Sequence, residues 1–181
     1  MITLVIGTNR PGSNTAKVAA QVVEIYHKHD VKPEVVDLAK LPPEIFSPSA
    51  YETKPAAFAP MAESILKADG IVWITPEYNG GFPGVAKYFI DMLKFPDSLK
   101  GVPMCLIGLA AGEWGALRPT EQLIDIFQYR NALIYPERVF MPKVHEILDA
   151  HGKITHPDIL KRLEKQAAAF LQFVEKIKGK K

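Results

Sequence analysis

The stretch ITLVIGTNRPGSNT (residues 2–15) decides the reading of the fold. A run that is apolar except for Thr3 passes straight into a loop of small and polar residues. A segment with Val18, Val22, Ile25 and Tyr26 at helical spacing follows. A strand buried on both faces and running into a helix is the opening unit of a parallel α/β sheet. The same alternation recurs along the chain. Strands are predicted at residues 2–6, 34–38, 70–75, 102–110 and 133–140, and helices at 15–29, 55–68, 83–94, 116–131 and 157–178. The expected fold is therefore one α/β domain over residues 1–181. It is a three-layer doubly wound sandwich on a five-stranded parallel sheet, in the order 2-1-3-4-5. The proline-rich residues 41–60 read as a long surface segment. The last helix carries a stripe of Leu160, Leu163, Ala167, Phe170, Val174 and Ile177 for packing on the sheet.

Composition excludes several functions. The chain has 181 residues, 48% hydrophobic and 23% charged, with a net charge of +2, which is globular and not disordered. Residues 161–181 hold seven Lys/Arg against two Glu, leaving a slightly acidic body with a basic end, which predicts no nucleic-acid partner. The longest uncharged stretch, residues 101–112, is too short to span a bilayer, and no basic segment precedes the first apolar run as in a signal peptide. Cys105 is the only cysteine, which suits a reducing, cytoplasmic setting. His145, His151 and His156 share a segment with Asp149 and Asp158, but the spacing matches no metal site. Cys105 lies inside a buried-strand run with no neighbouring base, so it reads as core.

Ligands of such sheets bind beyond the carboxyl ends of the strands, where strand order reverses. The loop after the first strand supplies Thr8, Arg10, Ser13, Asn14 and Thr15, with Ser13 or Asn14 as helix cap. A helix N-terminus with a nearby guanidinium suits an anion. Gly7 and Gly12 have the opening spacing of a Walker A loop, but Ser13 and Asn14 stand where its Lys and Ser/Thr belong, and no G-x-G-x-x-G occurs. A terminal monophosphate fits better than a triphosphate. Taken alone, the loop also fits a capped helix start with a solvated arginine. After the third strand, TPEYNGGFPGVAKYFIDML (residues 75–93) offers Asn79-Gly80, ordinarily a hairpin signal. Pro83 and the stripe Val85, Phe89 and Met92 favour a strand–loop–helix connection instead. Tyr78 and Gly80 are candidates to face something flat, the alternative being that Tyr78 and Phe82 fold back on the core. The third loop, residues 108–116, is glycine-rich, with Trp114 free to stack or to pack at a subunit contact.

These residues match a known pattern. The chain resembles the NAD(P)H-dependent FMN reductases of the flavodoxin-like superfamily, which include quinone, azo and chromate reductases. The first motif, G-[ST]-x-R-x-x-S, is met by Gly7, Thr8, Arg10 and Ser13. The second, P-E-Y-N-G-[SG]-x-P-G-x-x-K-x-x-I-D, is met at every fixed position from Pro76 to Asp91. A glycine-rich loop leading into L-R-x-x-x-x-L fits Gly112, Gly115, Leu117, Arg118 and Leu123. The resemblance implies that Thr8, Arg10, Ser13, Asn14 and Thr15 hold the FMN phosphate. It further implies that Pro76, Glu77, Tyr78, Asn79 and Gly80 lie against the ring and ribityl chain, and that Ala111 and Gly112 approach the opposite edge. Hydride would pass from NAD(P)H through FMN to a flavin, quinone, azo or metal-ion acceptor, with no catalytic side chain and no metal. A homodimer or homotetramer is implied as well. Glu113 and Phe82 depart from the family's usual residues, which bears on the acceptor pocket. The rival reading is a flavodoxin-like electron carrier, against which the net charge of +2 counts, since flavodoxins are usually strongly acidic.

Overall fold

The computed structural model describes residues 1–179. Its sheet is built from β1 (Ile2–Ile6), β2 (Glu34–Asp37), β3 (Gly70–Pro76), β4 (Pro103–Leu109), β5 (Leu133–Ile134) and β6 (Val139–Met141). The order is β2-β1-β3-β4-β5, all parallel, with β6 also paired to β4. Every residue of β1, β3 and β4 is buried, because helices cover both faces of the central strands. Side chains alternate between the two cores as the pleat requires. Leu4, Val72, Ile74, Cys105 and Ile107 face α1 (Asn14–His27) and α6 (Pro157–Lys178). Val5, Ile71, Trp73, Met104 and Leu106 face α3 (Gly84–Met92) and α4 (Leu117–Tyr129), with α2 (Ala59–Leu66) alongside. A short α5 (Val144–Ile147), which the sequence reading did not anticipate, follows β6.

Two expectations need correction. The single strand expected at residues 133–140 is two short strands. Tyr135 donates its amide to the Met104 carbonyl, and the chain then leaves β4 over residues 136–138 before pairing with it again from Val139. The carbonyl of Leu106 lies where the ladder passes from β5 to β6. The side-chain amide of Gln166, on the inner face of α6 and 3% exposed, donates to it at 3.2 Å and to the Glu137 carbonyl at 2.9 Å. A buried glutamine thus ties α6 to the sheet across the break and satisfies the Glu137 carbonyl.

The segment at residues 41–60 is not merely superficial. Short 3₁₀ turns at Pro43–Phe46, Pro48–Tyr51 and Ala56–Phe58 set Ile45, Ala50 and Phe58 into the second core, each at most 1% exposed. Prolines occupy first-turn positions in the first two of these turns, where their missing N–H costs nothing. Among the described residues, no helix is long and apolar enough to cross a membrane.

Candidate functional site

The loops after β1, β3 and β4 converge at the carboxyl end of the sheet on a cleft of about 360 Å³. The first loop leaves β1 by packing hard against β3. The Gly7 amide donates to the Ile74 carbonyl at 2.8 Å, and a Cβ on Gly7 would lie 2.7 Å from that oxygen and 2.8 Å from the Trp73 indole nitrogen. Only glycine fits so close an approach. Ser13 is the helix cap, its hydroxyl accepting from the Ala16 amide at 3.1 Å. The amides of Ser13, Asn14 and Thr15 donate to no acceptor among the described residues. Thr15 is 1% exposed, lines the cleft, and its hydroxyl has no hydrogen-bond partner among the described residues. Arg10 also lines the cleft, exposed, and forms no ion pair among the described residues. Free amides, an unpartnered hydroxyl and an unpaired guanidinium form a donor set for an oxyanion.

The second loop keeps contact with the sheet: the Glu77 amide donates to the Leu109 carbonyl. Tyr78 and Gly81 then exchange both backbone hydrogen bonds, at 2.9 and 3.1 Å, around Asn79 (φ 52°) and Gly80 (φ 78°). Two successive positive φ values are the signature of a type I′ turn. The Asn79-Gly80 signal therefore reports a genuine tight turn, set inside the strand–loop–helix connection that Pro83 and the α3 stripe indicate. Tyr78 lines the cleft and its hydroxyl meets that of Thr8 at 2.9 Å, whereas Phe82 does fold back on the second core.

The third loop is held from behind by the segment after β6. The Val144 amide donates to the Ala110 carbonyl and the Lys143 amide to the Gly112 carbonyl, while Glu113 pairs with Lys143 at 3.0 Å. That carboxylate holds the Lys143 ammonium above its usual range. Gly115 lies so close to Met141 and Pro142 that a Cβ would come within 2.8 Å of their backbone nitrogens, so its smallness serves loop packing, not a ligand. Trp114 is 60% exposed.

Of the candidate residues, Arg10, Ser13, Asn14, Thr15, Pro76, Glu77, Tyr78 and Ala111 line the cleft. Thr8 is buried behind it and braces Tyr78. Asn79, Gly80 and Gly112 fall outside the lining. The candidate residues left out Pro11, Gly12, Leu109, Ala110 and Val144, which also line the cleft. Val144 arrives only through its backbone bond to Ala110, a contact with no local sequence signal. The floor is bare of acid–base pairs, since Glu77 is engaged by Arg118 at 3.2 Å. Among the described residues no three His, Cys, Asp or Glu side chains gather as a metal site would require. A phosphate at α1 and a flat group between residues 76–78 and 110–111 fit this donor set and these walls.

Known proteins resemble this chain along most of its length. A quinone reductase of Escherichia coli K12 is 29% identical over 181 residues, covering 98% of this chain and 96% of that protein. An NADH-dependent FMN reductase of Pseudomonas putida is 30% identical over 134 residues, covering 74% of this chain and 72% of the relative. Among solved structures, the NAD(P)H:(acceptor) oxidoreductase FerB of Paracoccus denitrificans superposes with a TM-score of 0.79 at 24% identity, over 97% of each chain. An oxidised flavodoxin of Bacillus cereus shares the same fold, with a TM-score of 0.61 at 16% identity, over 94% of this chain and 97% of its own. The family model for NADPH-dependent FMN reductase matches residues 1–146, which carry all three loops and every strand of the sheet, and the chain belongs to that family.

Proposed function

We propose that this protein is an FMN-dependent NAD(P)H oxidoreductase. It takes hydride from a reduced nicotinamide and, in a ping-pong cycle, delivers the electrons to a flavin, quinone, azo or metal-ion acceptor. The observation that carries this reading is the set of uncommitted donors at the start of α1, facing the same cleft as Tyr78 and Ala111. Bound FMN would supply the redox chemistry, accepting hydride and passing electrons on. The chain's own part is to bind and orient. The amides of Ser13, Asn14 and Thr15, the Ser13 and Thr15 hydroxyls and the Arg10 guanidinium would hold the phosphate. Residues 76–78 and 110–111 would wall the ring, and the Thr8–Tyr78 bond would fix the spacing between phosphate and ring sites. No side chain is assigned a catalytic proton transfer. The acceptor class is supported by the relatives, one a quinone reductase and another, from Staphylococcus aureus, an FMN-dependent NADPH-azoreductase.

The same reading includes a homodimer or homotetramer working in the cytoplasm. The oligomer is supported by the groove between α3 and α4, where Phe95 (61%) and Tyr129 (76%) stand exposed. Titrating apoprotein with FMN tests the reading: saturable one-to-one binding with a yellow product supports it. No heat of binding at high micromolar FMN contradicts it.

A further inference from the structure

Glu77, in the cleft lining, meets Arg118, Nη1 of Arg118 donating to Oε1 of Glu77 at 3.2 Å. They come from different loops, Glu77 just beyond β3 and Arg118 in the first turn of α4. The Glu77 side chain is 15% exposed and that of Arg118 57%, so the arginine reaches over a carboxylate that is mostly enclosed. Among the described residues Arg118 is the only cation paired with Glu77.

The helix does not explain the arginine. A cation in the first turn lies at the positive end of the helix dipole, where anions are favoured. Nor does α4 begin with a side-chain cap. Ala116 stands at its N-cap with φ +69°, a left-handed conformation unfavourable for alanine, just after Gly115 at φ +55°. This turn, wedged by Gly115 against Met141 and Pro142, brings Arg118 to Glu77.

We propose that Arg118 is a positioning residue of the flavin site. By pairing with Glu77 it fixes the wall formed by residues 76–78 and cancels the carboxylate's charge at the cleft. The inference rests on the FMN-binding reading above. Reduction adds negative charge to a flavin. An uncompensated carboxylate in a partly desolvated cleft therefore opposes reduced FMN more than oxidised FMN. Arg118 acts through Glu77, so its effect should vanish when Glu77 carries no charge.

The test compares wild type, Arg118→Ala, Glu77→Gln and the double variant. Three readouts are the FMN dissociation constant, the midpoint potential of bound FMN, and amide hydrogen exchange at Glu77 and Tyr78 in the flavin-free protein. Arg118→Ala should weaken binding of reduced FMN about tenfold more than that of oxidised FMN, which lowers the potential by about 30 mV for a two-electron couple. Exchange at Glu77 and Tyr78 should quicken. In the Glu77→Gln background Arg118→Ala should move neither, and Arg118→Lys should restore most of the potential by keeping the charge. An unchanged potential with unchanged exchange in Arg118→Ala overturns the inference. So does an equal potential shift with Glu77 neutral, which would mean Arg118 acts on the flavin directly. A wild-type protein that binds no FMN overturns the flavoprotein reading and this role with it, a result distinct from either.

Discussion

The hydroxyl of Thr8 lies 2.9 Å from the hydroxyl of Tyr78, and the same Thr8 oxygen accepts the Arg10 amide at 3.3 Å. One buried side chain thereby fastens the loop after β1 to the loop after β3 and shapes the turn that carries Arg10. The phosphate and ring halves of the proposed site are tied together at this point.

Thr8→Val and Tyr78→Phe each remove that bond while keeping most of the side-chain volume. Each should cost about 0.5–1.5 kcal/mol of stability to urea. Because both delete the same interaction, the double variant should cost less than the sum of the singles. Strict additivity would show that the two hydroxyls do not act as a pair.

Arg10 has no carboxylate partner among the described residues, which leaves its guanidinium free for a phosphate. A charge-assisted bond of this kind contributes about 1.5–3 kcal/mol. Arg10→Ala should therefore weaken FMN binding roughly 10- to 150-fold. Riboflavin, which lacks the phosphate, should bind the variant and the wild type alike. Equal weakening of both ligands would place Arg10 at the ring or in the fold.

Two glycines of the site separate packing from ligand contact. A methyl group on Gly7 would meet a backbone oxygen at 2.7 Å, whereas one on Gly112 would meet no atom within 4 Å. Gly7→Ala should destabilise the fold by about 1–3 kcal/mol, the usual cost of overpacking. Gly112→Ala should leave the unfolding midpoint unchanged and, next to the proposed ring wall at residues 110–111, weaken FMN binding. Loss of stability in Gly112→Ala, or none in Gly7→Ala, would contradict this division.

Gln166→Leu takes from the Leu106 carbonyl its side-chain donor and leaves the part-buried Glu137 carbonyl without the Gln166 amide. A loss of about 1–3 kcal/mol is expected, measured by denaturant titration, with FMN affinity little changed because the β5–β6 gap lies away from the cleft lining. An unchanged midpoint would mean that other groups pair with these carbonyls.

The sheet was legible because β1, β3 and β4 bury every residue, and so read as nearly solid apolar runs between amphipathic helices. The break at Pro136 was not, since the Gln166 bonds that span it come from a helix that packs there only in the folded chain. The 3₁₀ turns before α2 have no long periodicity, so the burial of Ile45 and Phe58 has no local signature. At the site, Ser13, Thr15 and Tyr78 were visible from their positions after strands one and three. Val144 was not, because a backbone bond from a distant segment puts it there. Asn79-Gly80 shows both effects: its turn chemistry was plain, but whether the turn closed a hairpin or sat within a crossover depended on the helix beyond it.

The central claim is that the cleft holds FMN open to a nicotinamide. The measurement is an anaerobic absorbance titration of the FMN-loaded protein with NADH and, separately, with NADPH. The account predicts that at least one of them bleaches the bound flavin directly with no partner protein present, and that a quinone, azo dye or excess FMN then restores the oxidised spectrum. A bound flavin that both nicotinamides leave oxidised for minutes, yet dithionite reduces at once, would contradict the reductase and leave a carrier in its place.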